Sequence, residues 1–270
     1  MPINLPNAFV LKTRILTSAV ALPAVLAILI LAPDWFFSLF IAVLGCFGLY
    51  EVAAMTALEE PLEIGMFVVV GAVMLFGGLY GTNPGWLIPL EVIVVMLLLV
   101  AKVATGTRPE WLLGWRLALI GAVYVGVLFP YFAILRNGAH GVELIVFMLL
   151  LVVASDSGAY FSGMYFGQTK LIPEVSPKKT VEGAVGGLAA AVVAGLILKH
   201  WLLSDATIGG TVCVSAVIAI FSQFGDLAGS AFKRTAGVKD SGWLFPGHGG
   251  LLDRTASLVF AVVFTYYYSR

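Results

Sequence analysis

Long apolar runs constrain the fold of this sequence more than any other feature. Nine runs are long enough to cross about 30 Å of hydrocarbon at ~1.5 Å per residue. The mean hydropathy is +1.02 and 60% of the residues are hydrophobic, which is too apolar for a soluble domain. The sequence therefore predicts an all-α polytopic integral membrane protein with about nine transmembrane helices. The runs lie at residues 15–32, 36–57, 64–80, 86–104, 112–135, 142–163, 182–203, 208–232 and 251–269.

Lysine and arginine are unevenly distributed between the two sides of this arrangement. With the N-terminus in the cytoplasm, eleven fall on the cytoplasmic side and three on the other side. Since cytoplasmic loops are enriched in these residues, the distribution favours a cytoplasmic N-terminus and an external C-terminus. A cleaved signal peptide is the alternative for the first run, but the many later runs favour a first transmembrane helix. The cytoplasmic set is Lys12, Arg14, Lys102, Arg108, Lys170, Lys178, Lys179, Lys233, Arg234, Lys239 and Arg254, and the opposite set is Arg136, Lys199 and Arg270.

Polar residues within the runs distinguish two halves of the chain. Residues 1–140 hold few of them, Glu51 among these, and are expected to be scaffold helices. Residues 141–270 carry polar stripes and are expected to be the catalytic half. No soluble domain, linker or repeat separates the halves, so the whole chain is predicted to be one integral-membrane domain. Cys46 and Cys213 lie in apolar runs without metal or redox spacing, and are expected to be buried.

The first polar cluster is the stretch SDSGAYFSG, which carries Asp156 deep within a predicted span. A lone carboxylate at that depth costs on the order of 2.5–3.5 kcal/mol by insertion scales. Asp156 therefore requires a cation, a metal or a water-filled cavity. A purely structural ion pair is the alternative interpretation.

The stretch SPKKTVEGAVGG is the second polar cluster. Thr180 is in position to cap the helix that follows, and Glu182 would lie in its first turn, where the helix dipole favours negative charge. Lys178 and Lys179 also fit a simple topological role. Together with Ser176 and the helix N-terminus, they indicate a phosphate-binding site.

The stretch SQFGDLAGSAFKR is the third cluster, and it forms a polar stripe on one face of a predicted helix. A polar stripe on a membrane helix is expected to face protein or water rather than lipid. Asp226 lies near the cytoplasmic end of this stripe. The other members are Ser222, Gln223, Ser230, Lys233 and Arg234.

Charge and glycine are concentrated in the next stretch, KDSGWLFPGHGGLLDR. Its glycines free the backbone to approach an anion, and the following helix offers its positive end. Asp253, in the first turn of that helix, and Asp226 supply oxygen ligands of the kind that Mg²⁺ prefers. A glycine-rich loop with self-compensating charges is the alternative to a metal–polyphosphate site. The cations expected around the two carboxylates are Lys233, Arg234, Lys239 and Arg254.

The segment SAFKRTAGVKDSGWLFPGHGGLLDR closely resembles the signature of the phosphatidate cytidylyltransferases, or CDP-diacylglycerol synthases. The two upstream clusters are also similar to that family, so the resemblance covers about the last 120 residues. The sequence departs from the family pattern at Ala256, where an Asp is usual, and at Met164 and Gln168, where basic residues are common. The matching positions are Ser230, Lys233, Arg234, Lys239, Asp240, Gly242, Phe245, Pro246, His248, Gly249, Gly250, Asp253 and Arg254.

The resemblance implies a Mg²⁺-dependent nucleotidyltransferase that converts CTP and phosphatidate to CDP-diacylglycerol and pyrophosphate in phospholipid biosynthesis. It also implies that Asp226 and Asp253 bind the metal, and that the protein is a homodimer. The expected location is the cytoplasmic membrane, and the distribution of lysine and arginine places the active site on its cytoplasmic side. No nucleic-acid partner is expected. The catalytic candidates are Asp226, Asp253, Lys239, Arg254 and His248. The candidates for binding CTP and the lipid phosphate are Asp156, Ser176, Lys178, Lys179, Thr180, Ser230, Lys233, Arg234, Gly249 and Gly250.

Three alternatives to this function stay open at the level of the sequence. One is a CTP-dependent enzyme that acts on another membrane lipid. A second is a structural membrane protein, which would not need to concentrate so many ionisable groups. The third is an ion-coupled transporter, in which Asp156 and Asp226 would be coupling sites. The transporter is disfavoured because the sequence shows no inverted repeat, and because its charged cluster is predicted at one membrane face rather than at the midplane.

Overall fold

The computed structural model describes residues 7–56, 61–80, 111–244 and 249–270. Within these ranges the regular secondary structure is helical apart from one two-stranded hairpin, and turns and loops connect the elements. The helices are α1 (Asn7–Leu31), α2 (Asp34–Met55), α3 (Pro61–Tyr80), α4 (Trp111–Leu128), α5 (Pro130–Arg136), α6 (Gly141–Phe166), α7 (Val181–Leu202), α8 (Ile208–Thr235) and α9 (Leu251–Tyr268), and the strands are β1 (Lys170–Ile172) and β2 (Ser176–Thr180).

Five helical segments of the described chain are long and apolar enough to cross a membrane. Two shorter apolar helices, Ala19–Leu31 and Phe67–Leu79, accompany them. The predicted run 86–104 lies outside the described residues, whereas the other eight predicted runs fall on described helices. The helical membrane architecture is thus confirmed. The five segments are Asp34–Met55, Leu117–Arg136, Gly141–Phe166, Val181–Leu202 and Ile208–Thr235.

The chain divides into two compact units. The first unit comprises residues 1–130 and 236–254, in which α2, α3 and α4 pack together. Glycines allow this packing, because a Cβ at Gly71 would lie 2.5 Å from Leu49 Cδ2 and one at Gly126 would lie 2.7 Å from Met74 Cβ. Close helix contacts at small residues are typical of membrane bundles.

The second unit comprises residues 131–235 and 255–270. Its framework is the packing of α6, α7 and α8, with the most extensive contact between α6 and α7. The two backbones approach closely there, since a Cβ at Gly183 would lie 2.9 Å from the carbonyl oxygen of Ala159. In the same unit, α5 and α9 are joined by a hydrogen bond of 3.1 Å between the hydroxyls of Tyr131 and Tyr267.

The β1–β2 hairpin connects α6 to α7 and was not predicted from the sequence. Its strands are antiparallel, with Lys170 opposite Thr180 and Ile172 opposite Ser176. Thr180 then ends the hairpin and begins α7, because its hydroxyl accepts a hydrogen bond from the Gly183 N–H at 3.1 Å. The predicted capping role of Thr180 is confirmed.

The prediction that both cysteines are buried is wrong. Cys46 and Cys213 are free and exposed, on faces of α2 and α8 that are not covered by the rest of the described chain. Apolar residues on the lipid side and the protein side of a membrane helix have the same hydropathy. Hydropathy alone therefore does not distinguish these two environments.

Candidate functional site

A cavity of about 390 Å³ opens in the second unit, at the end where α6 terminates and α7 begins. The hairpin forms one side, and the polar stripe of α8 contributes two polar side chains. Small residues of α7 leave room for the cavity, and Leu171 adds an apolar surface. The charged and polar lining residues, which we call the cavity cluster, are Asp156, Lys178, Lys179, Gln223 and Asp226; Tyr160, Met164, Thr180, Gly183 and Ala184 also line it.

An ion pair crosses this cavity. The Lys179 Nζ lies 2.6 Å from Oδ2 of Asp226, and 29% and 44% of the two side chains are exposed. The side chain of Asp156, also exposed, contributes a second carboxylate to the same cavity. Since both partners reach solvent, the pair can be exchanged for ligand contacts at little cost, because exposed ion pairs contribute only about 0–1 kcal/mol.

The position of Asp226 is fixed by hydrogen bonds one turn earlier on α8. The Gln223 amide donates to the carbonyl oxygen of Ala184 on α7 at 3.1 Å and to the hydroxyl of Ser155 on α6 at 3.4 Å. These contacts tie three helices together at the base of the cavity. Since residues three apart lie on the same helix face, Asp226 is held toward the cavity as well.

The position of the lysines is fixed by the start of α7. The Glu182 carboxylate accepts hydrogen bonds from two backbone N–H groups. The N–H of Gln168 lies 3.1 Å from Oε2, and the N–H of Thr169 lies 3.1 Å from Oε1. Glu182 thereby connects the first turn of α7 to the chain that enters the hairpin. Lys178 and Lys179 follow on β2 and reach the cavity from this anchored strand.

A second group of polar residues, which we call the capping cluster, lies in the first unit and consists of Glu51, Ser241, Gly250 and Asp253. The Oδ2 of Asp253 accepts hydrogen bonds from the N–H of Ser241 at 2.8 Å, the N–H of Gly250 at 3.0 Å and the hydroxyl of Ser241 at 3.1 Å. Asp253 is the third residue of α9, and its side chain reaches back to the N–H of Gly250 at the N-cap position. This is one of the two hydrogen bonds of a capping box.

Glu51 completes this cluster, and sequence reasoning assigned it no role. Its Oε1 accepts from the Leu251 N–H at 2.7 Å, and its Oε2 accepts from the Leu252 N–H at 3.0 Å and from the Ser241 hydroxyl at 2.8 Å. The only signal in the sequence was a carboxylate within an apolar run. Its partners lie 190 and more residues away along the chain, which a single sequence does not reveal.

The candidate site residues are thus distributed over both units. Asp156, Lys178, Lys179, Thr180 and Asp226 line the cavity of the second unit. Other candidates of that unit lie outside the lining: Ser176 is half-buried at the start of β2, and Ser230, Lys233 and Arg234 continue along α8, half-buried or exposed. In the first unit, Asp253, Gly249 and Gly250 surround the start of α9, Lys239 and Arg254 are exposed, and His248 lies outside the described residues.

The donor atoms of the cavity fit a hard divalent cation. Asp226, one of the two predicted metal ligands, supplies carboxylate oxygens of the kind that suit Mg²⁺, and Asp156 adds a second carboxylate to the cavity. The other predicted ligand, Asp253, does not line this cavity and belongs to the capping cluster of the first unit. In the part of the chain that the structure describes, no group of three or more His, Cys, Asp or Glu side chains is arranged around a common point. A cation bound here would therefore take its remaining ligands from water or from phosphate oxygens, which is usual for Mg²⁺.

The sequence matches the cytidylyltransferase family over residues 12–270. The chain belongs to this family. Among its relatives is the phosphatidate cytidylyltransferase of Haemophilus influenzae, 36% identical, with 96% of this chain and 98% of the relative covered. The phosphatidate cytidylyltransferase of Staphylococcus haemolyticus is 33% identical over 93% of this chain and 96% of its own length. The match therefore extends through the N-terminal half, beyond the segment that carries the recognised signature.

The structure explains why Ala256 fits where the family signature usually has an aspartate. Ala256 is 4% exposed and lies against α8 at two glycines. A Cβ at Gly229 would lie 2.8 Å from the Ala256 Cβ, and one at Gly225 would meet its carbonyl oxygen. In this chain α8 and α9 are in direct contact at that position, so an additional carboxylate would have no room without a shift of the helices.

Proposed function

We propose that this protein transfers the cytidylyl group of CTP to phosphatidate, giving CDP-diacylglycerol and pyrophosphate in phospholipid biosynthesis. Family membership and the names of the relatives support the reaction class. The structural observation that carries the proposal is the cavity cluster, where two lysines and two carboxylates meet at the start of a helix. Such a set can neutralise both a polyphosphate and the cation bound to it.

The chemistry requires positioning more than it requires a strong base. The phosphate of phosphatidate is already an anion near neutral pH. One of its oxygens forms the new bond to the α-phosphorus of CTP, while the bond from the α-phosphorus to the bridging oxygen breaks and pyrophosphate leaves. Catalysis then depends on holding two anions in line and neutralising their charge.

Lys178 and Lys179 are the residues that we assign to the phosphates within the cavity. Lys179 would leave Asp226 when a phosphate offers a stronger partner, and the N-terminus of α7 adds its positive end. Lys239, Arg254 and His248 stay proposed as catalytic residues. Ser176, Ser230, Lys233 and Arg234 stay proposed as residues that bind CTP or the lipid phosphate.

Mg²⁺ is part of the proposal, with Asp226 and Asp253 as its protein ligands. When bound, it would neutralise charge on the nucleotide phosphates. Asp226 offers an exposed carboxylate at the cavity, and the Asp253 carboxylate is held in place through its Oδ2. Its other ligands would come from the nucleotide and from water.

The lipid is expected to reach the cavity from the side of the bilayer. Tyr160 and Met164 line the cavity and are 65% and 52% exposed, and Phe161, Tyr165 and Phe166 extend this surface to the end of α6. Aromatic side chains at this level are typical of a membrane interface. The acyl chains would remain in the membrane while the phosphate enters between the helices.

The nine spans and the single integral-membrane domain are proposals that the apolar runs of the sequence support. The distribution of lysine and arginine supports the cytoplasmic N-terminus, and the cytoplasmic membrane is the proposed location. A homodimer is included because of the family resemblance. Cysteines introduced at residues 168–179 and 235–247, in a chain with Cys46 and Cys213 replaced, should react with impermeant reagents only from the cytoplasmic side. Reaction from outside would remove access to CTP and contradict the proposed mechanism.

A comparison of lipid acceptors tests the reaction against its alternatives. The purified protein is incubated with CTP, Mg²⁺ and one acceptor at a time: phosphatidate, an isoprenoid alcohol or an archaeal-type ether lipid phosphate. We expect a cytidylylated lipid with phosphatidate at the highest kcat/KM. A higher kcat/KM with another acceptor would favour the alternative lipid enzyme. Ion uptake into proteoliposomes without any lipid product would favour the transporter.

A further inference from the structure

We propose that Glu51 is a positioning residue for the reaction, acting through Ser241 and the first turn of α9 to orient Asp253. This inference rests on the proposed function. It concerns a residue outside the family signature, from a helix that the sequence marks as scaffold. The contacts that carry it all lie within the first unit.

The N-cap position of α9 offers no side chain to the N–H groups of the first turn, although Asp253 accepts a hydrogen bond from the Gly250 N–H. The residue before its first turn is Gly250, which lacks the hydroxyl or carboxylate that usually accepts a hydrogen bond from the free N–H groups of a helix start. Glu51 supplies both oxygens instead, one to the Leu251 N–H and one to the Leu252 N–H. A carboxylate also complements the positive end of the helix.

The same carboxylate holds the glycine-rich loop. Ser241 Oγ lies 2.8 Å from Glu51 Oε2 and 3.1 Å from Asp253 Oδ2, so it connects the two carboxylates. Because a hydroxyl has one proton, it donates to one carboxylate at a time, and the shorter contact is to Glu51. The Ser241 N–H donates to Asp253 at 2.8 Å independently of the hydroxyl.

Two signature glycines are explained by this arrangement. A Cβ at Gly242 would lie 2.7 Å from Glu51 Oε1, and one at Gly250 would meet the Ser241 hydroxyl and lie 2.5 Å from Glu51 Oε1. Real Cβ atoms do not approach an oxygen so closely, so the loop needs glycine at both positions because Glu51, together with Ser241 at Gly250, occupies the space. The loop and Glu51 are therefore one structural element, although only the loop belongs to the signature.

Burial makes the contact specific. Glu51 is 5% exposed, four residues before the end of α2. A buried carboxylate is costly unless hydrogen bonds satisfy it, and here three donors do so. Replacing it with an amide leaves one acceptor oxygen for these donors and turns an NH₂ group toward them. We expect the loop and the first turn of α9 to shift, and Asp253 with them.

The test compares Glu51→Gln with the matched control Glu143→Gln, an exposed glutamate in the first turn of α6. In purified full-length protein, E51Q should lower kcat on the order of 100-fold with a nearly unchanged KM for CTP, since small misplacements have effects of this size. E143Q should match the wild type. Hydrogen exchange should rise in peptides covering residues 239–256 of E51Q but not in peptides covering α6 and α7.

Ser241→Ala keeps the proposal testable if E51Q does not fold. It leaves the Glu51 cap on α9 in place and removes only the hydroxyl between the two carboxylates. We expect a smaller loss of kcat in the same direction. If both variants fold, their combined effect should be less than the product of the single effects, because they act on one network.

Three outcomes are distinguishable. A folded E51Q with wild-type kcat would overturn the positioning role, even if its melting temperature falls. Raised exchange throughout the chain would equally contradict it, because the effect would then be on overall stability. A wild-type protein without any cytidylyl transfer would overturn the proposed function itself. The E51Q result tests only the role of Glu51.

Discussion

The cavity cluster and the capping cluster each place carboxylates beside the start of a helix, α7 in one and α9 in the other, but they satisfy them differently. In the cavity, Asp226 is paired with a lysine and both side chains are partly exposed. In the capping cluster, Glu51 is buried and its partners are backbone N–H groups and a serine hydroxyl. The first cluster can exchange partners with a ligand, whereas the second holds the backbone in one arrangement.

The largest effect is expected for Asp226→Asn. We predict a loss of activity on the order of 1,000-fold, since a lost metal ligand forfeits several kcal/mol of charge stabilisation. The melting temperature should hardly change, because the side chain is partly exposed. Asp205→Asn, in the exposed turn before α8, is the matched control and should retain full activity. A D226N protein with near-normal rates across a Mg²⁺ titration would show that the cavity carboxylate is structural, and the contrast between the clusters would fail.

Asp253 tests the capping cluster with two substitutions. Asp253→Asn keeps one acceptor oxygen for Ser241 and Gly250, so the protein should fold while activity is lost as in D226N. Asp253→Ala removes the acceptor for three hydrogen bonds and should also lower stability, by about 1–3 kcal/mol for the donors left unsatisfied. Thermal unfolding of both variants in one detergent checks this. Equal stabilities would mean that the bonds to Asp253 do not hold the loop.

Two lysine substitutions test whether a lysine must line the cavity to bind CTP. Lys179→Met should raise the KM for CTP about tenfold, which corresponds to losing ~1.4 kcal/mol of a charge-assisted contact. Lys170→Met removes a lysine from the partner strand that does not line the cavity, and should leave the KM unchanged. If the two variants behave alike, the lysines contribute only general positive charge at the membrane surface.

Gly249 and Gly237 form a matched pair for the glycine loop. Both have positive φ, +84° and +74°, so alanine is strained at each by roughly 1–2 kcal/mol. A Cβ at Gly249 would also lie 2.6 Å from Asp253 Oδ2, whereas nothing lies within 4 Å of one at Gly237. Gly249→Ala should therefore lose several-fold more activity than Gly237→Ala at equal temperature. Equal rates with lowered melting temperatures would mean that Gly249 serves only as scaffold.

The smallest effect is expected for Lys239→Ala. This side chain is exposed, so its removal should leave stability unchanged. As a point charge for a phosphate, it should raise the CTP concentration needed for half-maximal rate a few-fold. Initial rates over a range of CTP concentrations measure this change. An unchanged CTP dependence would remove Lys239 from the proposed site.

The helices and their starts could be predicted from sequence because their signals are local. Thr180 was recognised as a cap, and the structure places the hydrogen bond that this role requires. The hairpin before it was missed because its strands are three and five residues long and carry polar residues without alternation. The exposure of the cysteines was predicted wrongly because lipid and protein interior are equally apolar.

The candidate site was only partly predictable for a different reason. The polar stripe of α8 identified Asp226 and Gln223, since a polar face on an apolar helix is a periodic pattern that a single sequence displays. Glu51 belongs to no such pattern. Its function in the structure comes from tertiary contacts with residues about 200 positions away, and those depend on how the helices of the first unit pack.

The most direct test of the proposed reaction uses CTP labelled at either the α- or the γ-phosphorus. Purified wild-type protein is incubated with phosphatidate and Mg²⁺, and the lipid is extracted. We predict that label from the α-position enters the lipid and that label from the γ-position leaves as pyrophosphate, with neither product formed by D226N. Label from the γ-position in the lipid would mean phosphoryl transfer instead of cytidylyl transfer. A lipid that stays unlabelled after incubation with folded wild-type protein would contradict the proposed function.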